Sequence, residues 1–118
     1  MNYLRVNVVM RILLTGASGF IGAHLALRLH SEAHEVFVLP SPRFRPARLA
    51  RAGYTAVTHP AEARAEVVYH LASTPMSAAI PDREHEAVIL GGTRLLVEQL
   101  SGGQAPPRRL IFAGSAAE

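Results

Sequence analysis

The chain has 118 residues, 49% hydrophobic and 18% charged, which bounds it to one folded domain at most and excludes a disordered polymer. Its net charge of +3 is carried by arginine alone, because lysine is absent; cysteine is absent too, which excludes disulfides and thiolate metal sites. No apolar run approaches the roughly 20 residues of a membrane helix and no signal peptide is recognisable, so no membrane partner and a cytoplasmic location are expected.

Residues 1–9 read as a non-native N-terminal extension, because Met10-Arg11-Ile12 is the more natural start; their expected effect is at most a longer first strand. The aliphatic run 8–14 predicts that strand. It stops at Thr15-Gly16-Ala17-Ser18-Gly19-Phe20-Ile21-Gly22, where three glycines stand three residues apart. A helical stripe of Ile21, Leu25 and Leu29 follows at once and predicts a helix from Gly19 to about His30. Strand, glycine turn and helix in this order suit the binding of a phosphate. Gly16 permits the sharp turn, Gly19 lets a pyrophosphate approach the backbone, and Gly22 lets the helix pack closely on the sheet. The N–H groups of the first helical turn and the positive end of the helix dipole then face the phosphates. Gly16, Ser18, Gly19, Phe20, Ile21 and Gly22 are the candidate binding residues. The competing reading, a tight turn that binds nothing, is disfavoured by the strand before it and the helix after it.

Residues 35–39 predict a second strand, stopped by Pro40 and Pro42, which completes a strand–helix–strand unit of the size a parallel crossover needs. An NAD-preferring site usually carries an acid at the end of this strand, about 20 residues past the glycines, for the ribose hydroxyls. Here Leu39-Pro40-Ser41-Pro42-Arg43 offers none. Ser41, Arg43 and Arg45 suit the 2′-phosphate of NADP instead, and the expectation favours NADP over NAD. The alternative is that these arginines are a solvated loop.

Residues 46–52 predict a short helix and 54–57 a third strand, while 61–65 are too few for a crossover helix and predict one turn or a loop. Residues 66–72 predict a fourth strand, after which small Ala72 and Ser73 suit a backbone that approaches a ligand. His70, taken alone, reads as a core histidine with its hydrogen bonds satisfied. His30 and His34 span a helix end with no third ligand nearby, so no metal is expected. A loop over 73–81, a long helix over 82–100 and a fifth strand over 109–113 complete the chain. The arginine clusters at 43–48 and 108–109 come without any nucleic-acid-binding signature, and no nucleic acid partner is expected. Together the alternation predicts an α/β fold, a doubly wound parallel sheet of five strands in the order 3-2-1-4-5 with helices on both faces.

Thr15-Gly16-Ala17-Ser18-Gly19-Phe20-Ile21-Gly22 resembles the short-chain dehydrogenase/reductase superfamily, in particular its extended branch, the NAD(P)-dependent sugar epimerases, dehydratases and related reductases. His70-Leu71-Ala72-Ser73 is similar to the branch's His-Leu-Ala-Ala segment, and Gly91-Gly92-Thr93-Arg94-Leu95-Leu96-Val97-Glu98 to its Gly-Thr-x-x-Leu-Leu-Glu segment. The resemblance implies a Rossmann-type domain that binds a nicotinamide dinucleotide, with Leu71, Ala72 and Ser73 lining its ribose and pyrophosphate. It also implies that Ser115 polarises a substrate hydroxyl or carbonyl. The chain departs from the pattern at Thr58-His59-Pro60, where the branch places an Asp near the adenine, and at Ile89, where it places an Asn. Gly114 stands before Ser115 where serine is common. With no lysine, the chain cannot supply the Tyr-x-x-x-Lys pair of the family chemistry.

The implied function is thus the dinucleotide-binding part of an epimerase, dehydratase or reductase acting on a nucleotide sugar or a small carbonyl or hydroxyl substrate. As it stands the chain is expected to be catalytically incomplete, a partial domain over 1–118 truncated before the substrate domain. A homodimer through the 82–100 helix is the expected assembly. The alternative is a non-catalytic dinucleotide-binding module, a sensor or a partner subunit.

Overall fold

The strands are β1 (Arg11–Thr15), β2 (Glu35–Leu39), β3 (Thr55–Ala56), β4 (Val67–His70) and β5 (Arg109–Phe112), and the helices α1 (Phe20–Ser31) and α2 (Asp82–Ser101). They are seen in a computed structural model that describes residues 8–42, 44–72, 82–102 and 106–112. The sheet order is β3-β2-β1-β4-β5, all neighbours parallel, as the alternation of apolar runs and helical stretches predicts.

β1 lies at the centre, and it is the strand whose apolar residues are all buried between its ends, the pattern of a strand covered on both faces. Ile12, Leu13 and Leu14 are all buried. Side chains alternate across a strand, so Ile12 and Leu14 join Ala26 and Leu29 of α1, Val36, Val38 and Leu49 on one face. Leu13 joins Val57, Ala63, Val68, and Leu96 and Leu100 of α2 on the other.

The first strand begins at Arg11, later than the aliphatic run suggests, and Val8 and Val9 stay exposed. The reason is pairing: the Met10 N–H donates to His34 Nδ1 at 3.1 Å, and the ladder with β2 starts only at Arg11 opposite Glu35. Arg11 also fastens this end of the sheet. Its Nε donates to the Ala63 carbonyl at 2.8 Å, its Nη1 meets Glu35 at 3.1 Å, and its guanidinium lies 4.5 Å from the centre of the Phe37 ring.

The helix expected over 46–52 is a single 3-10 turn, Pro46–Leu49, opened by a proline and anchored by buried Leu49. The connection to β4 is as short as its residue count requires. It is a 3-10 turn, Pro60–Ala63, capped by His59 Nδ1 accepting the Ala61 N–H and ended by Arg64 in the left-handed region at φ 47°. Both turns place the strands' C-terminal ends at one side of the sheet, where the glycine turn lies.

Candidate functional site

β1 sits between β2 and β4, so the chain's crossovers leave it in opposite directions and the switch point of the sheet lies at the C-terminal ends of β1 and β4. Open α/β sheets bind ligands at this switch point. Each glycine of the turn answers a different constraint. Gly16 has φ +67°, and a Cβ there would lie 2.6 Å from both the Leu71 carbonyl carbon and the Ala72 nitrogen. At Gly22 a Cβ would run into the Gly16 carbonyl oxygen and the Ala17 backbone. Gly19 is different: it is extended (φ −70°, ψ 174°) and a Cβ would meet only the Gly16 oxygen, at 3.4 Å. Nothing within the described residues requires glycine at 19.

Gly19 is the N-cap of α1 and offers no side-chain cap, and the first turn contains no acid. The Gly19 N–H bonds to the Gly16 carbonyl (3.2 Å) and the Ala23 N–H to the Gly19 carbonyl (2.9 Å). Among the described residues the N–H groups of Phe20, Ile21 and Gly22 have no acceptor. Their side of the helix is open, with Phe20 78% and Ile21 63% exposed. Bare N–H donors at the positive end of a helix dipole, unopposed by any carboxylate, form a cradle for an anion. The residues present therefore fit a dinucleotide pyrophosphate.

Ser18 links this cradle to the segment after β2. Its Oγ accepts the Arg45 N–H at 3.0 Å and its carbonyl accepts from Arg48 Nη1 at 3.2 Å. Ser41 is exposed beyond the end of β2 and its carbonyl accepts the Phe44 N–H at 2.9 Å. Arg48 escaped sequence reasoning; its only signal was membership of the arginine cluster. Arg43, Ser73 and Ser115, all expected at the site, lie outside the described residues.

The floor of this site is polar and closed on itself. Thr15 is 4% exposed, and its Oγ1 accepts the N–H groups of Leu71 (3.1 Å) and Ala72 (3.2 Å) and lies 2.6 Å from His70 Nδ1. His70 Nε2 lies 3.0 Å from Thr93 Oγ1 of α2, and its ring meets Phe112 edge-on at 5.8 Å. Both ring nitrogens are partnered, as expected of a core histidine. Leu71 and Ala72 border the glycine turn, and their N–H groups are engaged by Thr15.

Burial pushes the His70 pKa below the usual 6.5. An unfolded chain therefore takes up this proton first as the pH falls, and the stability that neutral His70 contributes is complete above pH 6.5 and declines below it. The melting temperature is expected to drop between about pH 7.5 and 5.5, and to drop less in His70→Asn; equal drops would remove His70 from the account.

Among the described residues no group of His, Asp or Glu could hold a metal ion, and no helix is long and apolar enough to cross a membrane.

The model of the NAD dependent epimerase/dehydratase family matches residues 12–118, and the chain belongs to that family. It carries the family's Rossmann-type, NAD-binding region. Among solved structures it is similar to a candidate epimerase from Burkholderia cenocepacia J2315, at 31% identity and TM-score 0.69, over 94% of this chain and 39% of that one. It is similar in fold to a UDP-glucose-4-epimerase of Stenotrophomonas maltophila with bound NAD and formylated UDP-arabinopyranose (20% identity, TM-score 0.74, 91% and 37% covered). A UDP-glucose 4-epimerase of Thermotoga maritima with UDP-glucose shares that fold too (24% identity, TM-score 0.73, 90% and 38% covered). The chain spans less than two-fifths of the length of each. No curated protein matches the sequence significantly.

Proposed function

We propose that the chain is the cofactor-binding part of an NAD(P)-dependent epimerase, dehydratase or reductase acting on a nucleotide sugar or a small carbonyl or hydroxyl compound. One observation carries this reading. The three N–H groups of Phe20, Ile21 and Gly22 lack acceptors among the described residues, at a switch-point crevice over which Gly19 leaves room that the fold itself does not need. The pyrophosphate would rest on these donors, with Gly16 and Ser18 shaping the turn and Leu71, Ala72 and Ser73 beneath it. A bound nicotinamide supplies reversible hydride transfer. The nucleotide-sugar class is supported by the ligands of the similar epimerases, formylated UDP-arabinopyranose in one and UDP-glucose in another.

NADP is the favoured cofactor. No acid closely follows β2, and the Arg48 guanidinium reaches the Ser18 carbonyl, which supports a cation near the expected 2′-phosphate. Ser41 and Arg43 would complete that subsite. Ser115 would polarise the substrate oxygen. Residues 1–118 are read as one partial domain with 1–9 as an extension, in a cytoplasmic protein. The exposed Leu90, Leu95 and Val97 of α2 support a homodimer through that helix.

Titration calorimetry tests the reading. NADP is expected to bind roughly tenfold more tightly than NAD, about the value of one charge-assisted hydrogen bond. Equal affinities would remove Arg43, Arg45 and Arg48 from the site. Gly19→Val should keep the fold, at a capping cost under about 1 kcal/mol, yet bind neither cofactor. Unchanged affinity in that variant would refute the cradle. A second reading is a non-catalytic dinucleotide-binding module, a sensor or a partner subunit. Sequence encoded beyond Glu118 separates the two, since a Tyr-x-x-x-Lys pair there means an enzyme.

A further inference from the structure

We infer that His70 is a positioning residue: as a neutral ring protonated on Nε2, it bridges Thr15 to Thr93 and holds the start of the β4 loop against the glycine turn. This role presupposes the cofactor site proposed above and adds a proton-dependent control of its shape.

Hydrogen-bond accounting fixes the proton. A hydroxyl has one proton and two acceptor lone pairs. Both lone pairs of Thr15 Oγ1 are taken, by the Ala72 N–H at 3.2 Å and by the Leu71 N–H at 3.1 Å, the latter shared with the Thr15 main-chain carbonyl at 3.2 Å. Its own proton must therefore point at the remaining neighbour, His70 Nδ1, 2.6 Å away. Nδ1 is then an acceptor and the ring proton sits on Nε2, which donates to Thr93 Oγ1 at 3.0 Å. A second proton would place an N–H on Nδ1 and give Thr15 Oγ1 three donors for two lone pairs. One backbone N–H would have to leave Oγ1: that of Leu71 keeps the Thr15 carbonyl, whereas that of Ala72 has no other acceptor among the described residues, so the strain falls on the Ala72 bond.

That backbone is the wall of the glycine turn. The Leu71 carbonyl and the Ala72 nitrogen lie where a Gly16 Cβ would be, so the fit leaves no slack and a displaced Leu71–Ala72 segment displaces the turn with it. Among the described residues the ring's surroundings do not compensate a charge. β1 presents Thr15, α2 presents Thr93 and β5 presents the Phe112 ring, and among the described residues no carboxylate or guanidinium bonds to it. Protonation of His70 thus opposes dinucleotide binding, and by linkage a bound dinucleotide opposes protonation.

The test is nuclear magnetic resonance on the whole chain with nitrogen-15-labelled histidine, joined to NAD titrations across pH. Above neutral pH His70 is expected as the neutral Nε2–H tautomer, and the Leu71 and Ala72 amide signals are expected to shift with its titration. A ring protonated on Nδ1, or amides that ignore the titration, would overturn the role. NAD affinity should fall roughly fivefold between about pH 7.5 and 5.5. NAD is the probe because the phosphate of NADP titrates near pH 6 itself. His70→Asn keeps an acceptor at the Nδ1 position and cannot charge, so its affinity should not vary with pH. His70→Gln reaches only the Nε2 position and should weaken binding throughout. A shared pH profile for wild type and His70→Asn would refute the proton control. If His70→Asn does not fold, Thr93→Val and Thr93→Ser replace it: the first should disturb the tautomer and the second restore it. Absence of NAD binding at every pH would defeat the cofactor reading, while the tautomer and amide signals would still decide the role of His70.

Discussion

Gly16→Val is expected to destabilise the fold by roughly 2–5 kcal/mol. The left-handed conformation at φ +67° costs an ordinary L-residue about 1–2 kcal/mol, and more with a β-branched side chain. Forcing atoms into a site whose neighbours lie 2.6 Å from the Cβ position adds an overpacking cost of about 1–3 kcal/mol. Those neighbours are backbone atoms of Leu71 and Ala72, tied to Thr15, and cannot swing aside as a side chain would. Urea denaturation of the variant beside Gly19→Val measures the contrast. The two sites are three residues apart in one motif, yet one substitution should cost stability and the other binding. Equal loss of stability in both would mean that the turn is a purely structural device.

The 118-residue chain is expected to show no dehydrogenase, dehydratase or epimerase turnover, even with cofactor bound. Hydride transfer at a carbonyl carbon requires a proton donor or acceptor within hydrogen-bond reach of its oxygen. The family chemistry assigns this to a tyrosine whose pKa a neighbouring lysine lowers from about 10, and the sequence contains no lysine. Positioning matters as much: an aligned reacting pair is worth on the order of 7–11 kcal/mol in the best intramolecular cases. The chain covers less than two-fifths of the similar epimerases. Incubation with NAD or NADP and either a nucleotide sugar or a simple carbonyl compound, with Gly19→Val as the blank, provides the check. Cofactor turnover above the blank would show that a sufficient site is already present.

The order of the sheet was legible in the sequence because its signals are short-range. Glu35–Leu39 is bounded by a turn on one side and Pro40 on the other, and the strand has those limits. The glycine triplet announced the turn and the sharp bend at Gly16, but not that Gly22 is held by the Gly16 carbonyl and the Ala17 backbone rather than by the sheet. Boundaries set by pairing partners were harder. Val8 and Val9 look like strand, but a strand ends where its neighbour does, and β2 begins opposite Arg11. Residues 46–52 look helical by composition, but only a 3-10 turn forms at Pro46–Leu49. Of the polar floor only a satisfied His70 was legible, not its partners. Thr15 and His70 are 55 residues apart and Thr93 a further 23, and nothing local to any of them indicates that their side chains meet. The same holds for Arg48 and Ser18, joined across 30 residues.

The registers of β1 also set an order in time. Its pairing with β2 closes a loop of 24 residues, whereas its pairing with β4 must gather 55. Loop-closure entropy makes the second only about 0.7 kcal/mol costlier than the first, so the equilibrium scarcely distinguishes them. Synthesis does, because a chain emerges from its N-terminus at about 5–20 residues per second. The strand–helix–strand unit, glycine turn included, is exposed for seconds before Val67–His70 arrives to fill the other side of β1. In that interval the apolar edge of β1 is unpaired, which makes the nascent chain most vulnerable to misassociation just before its ligand crevice can exist.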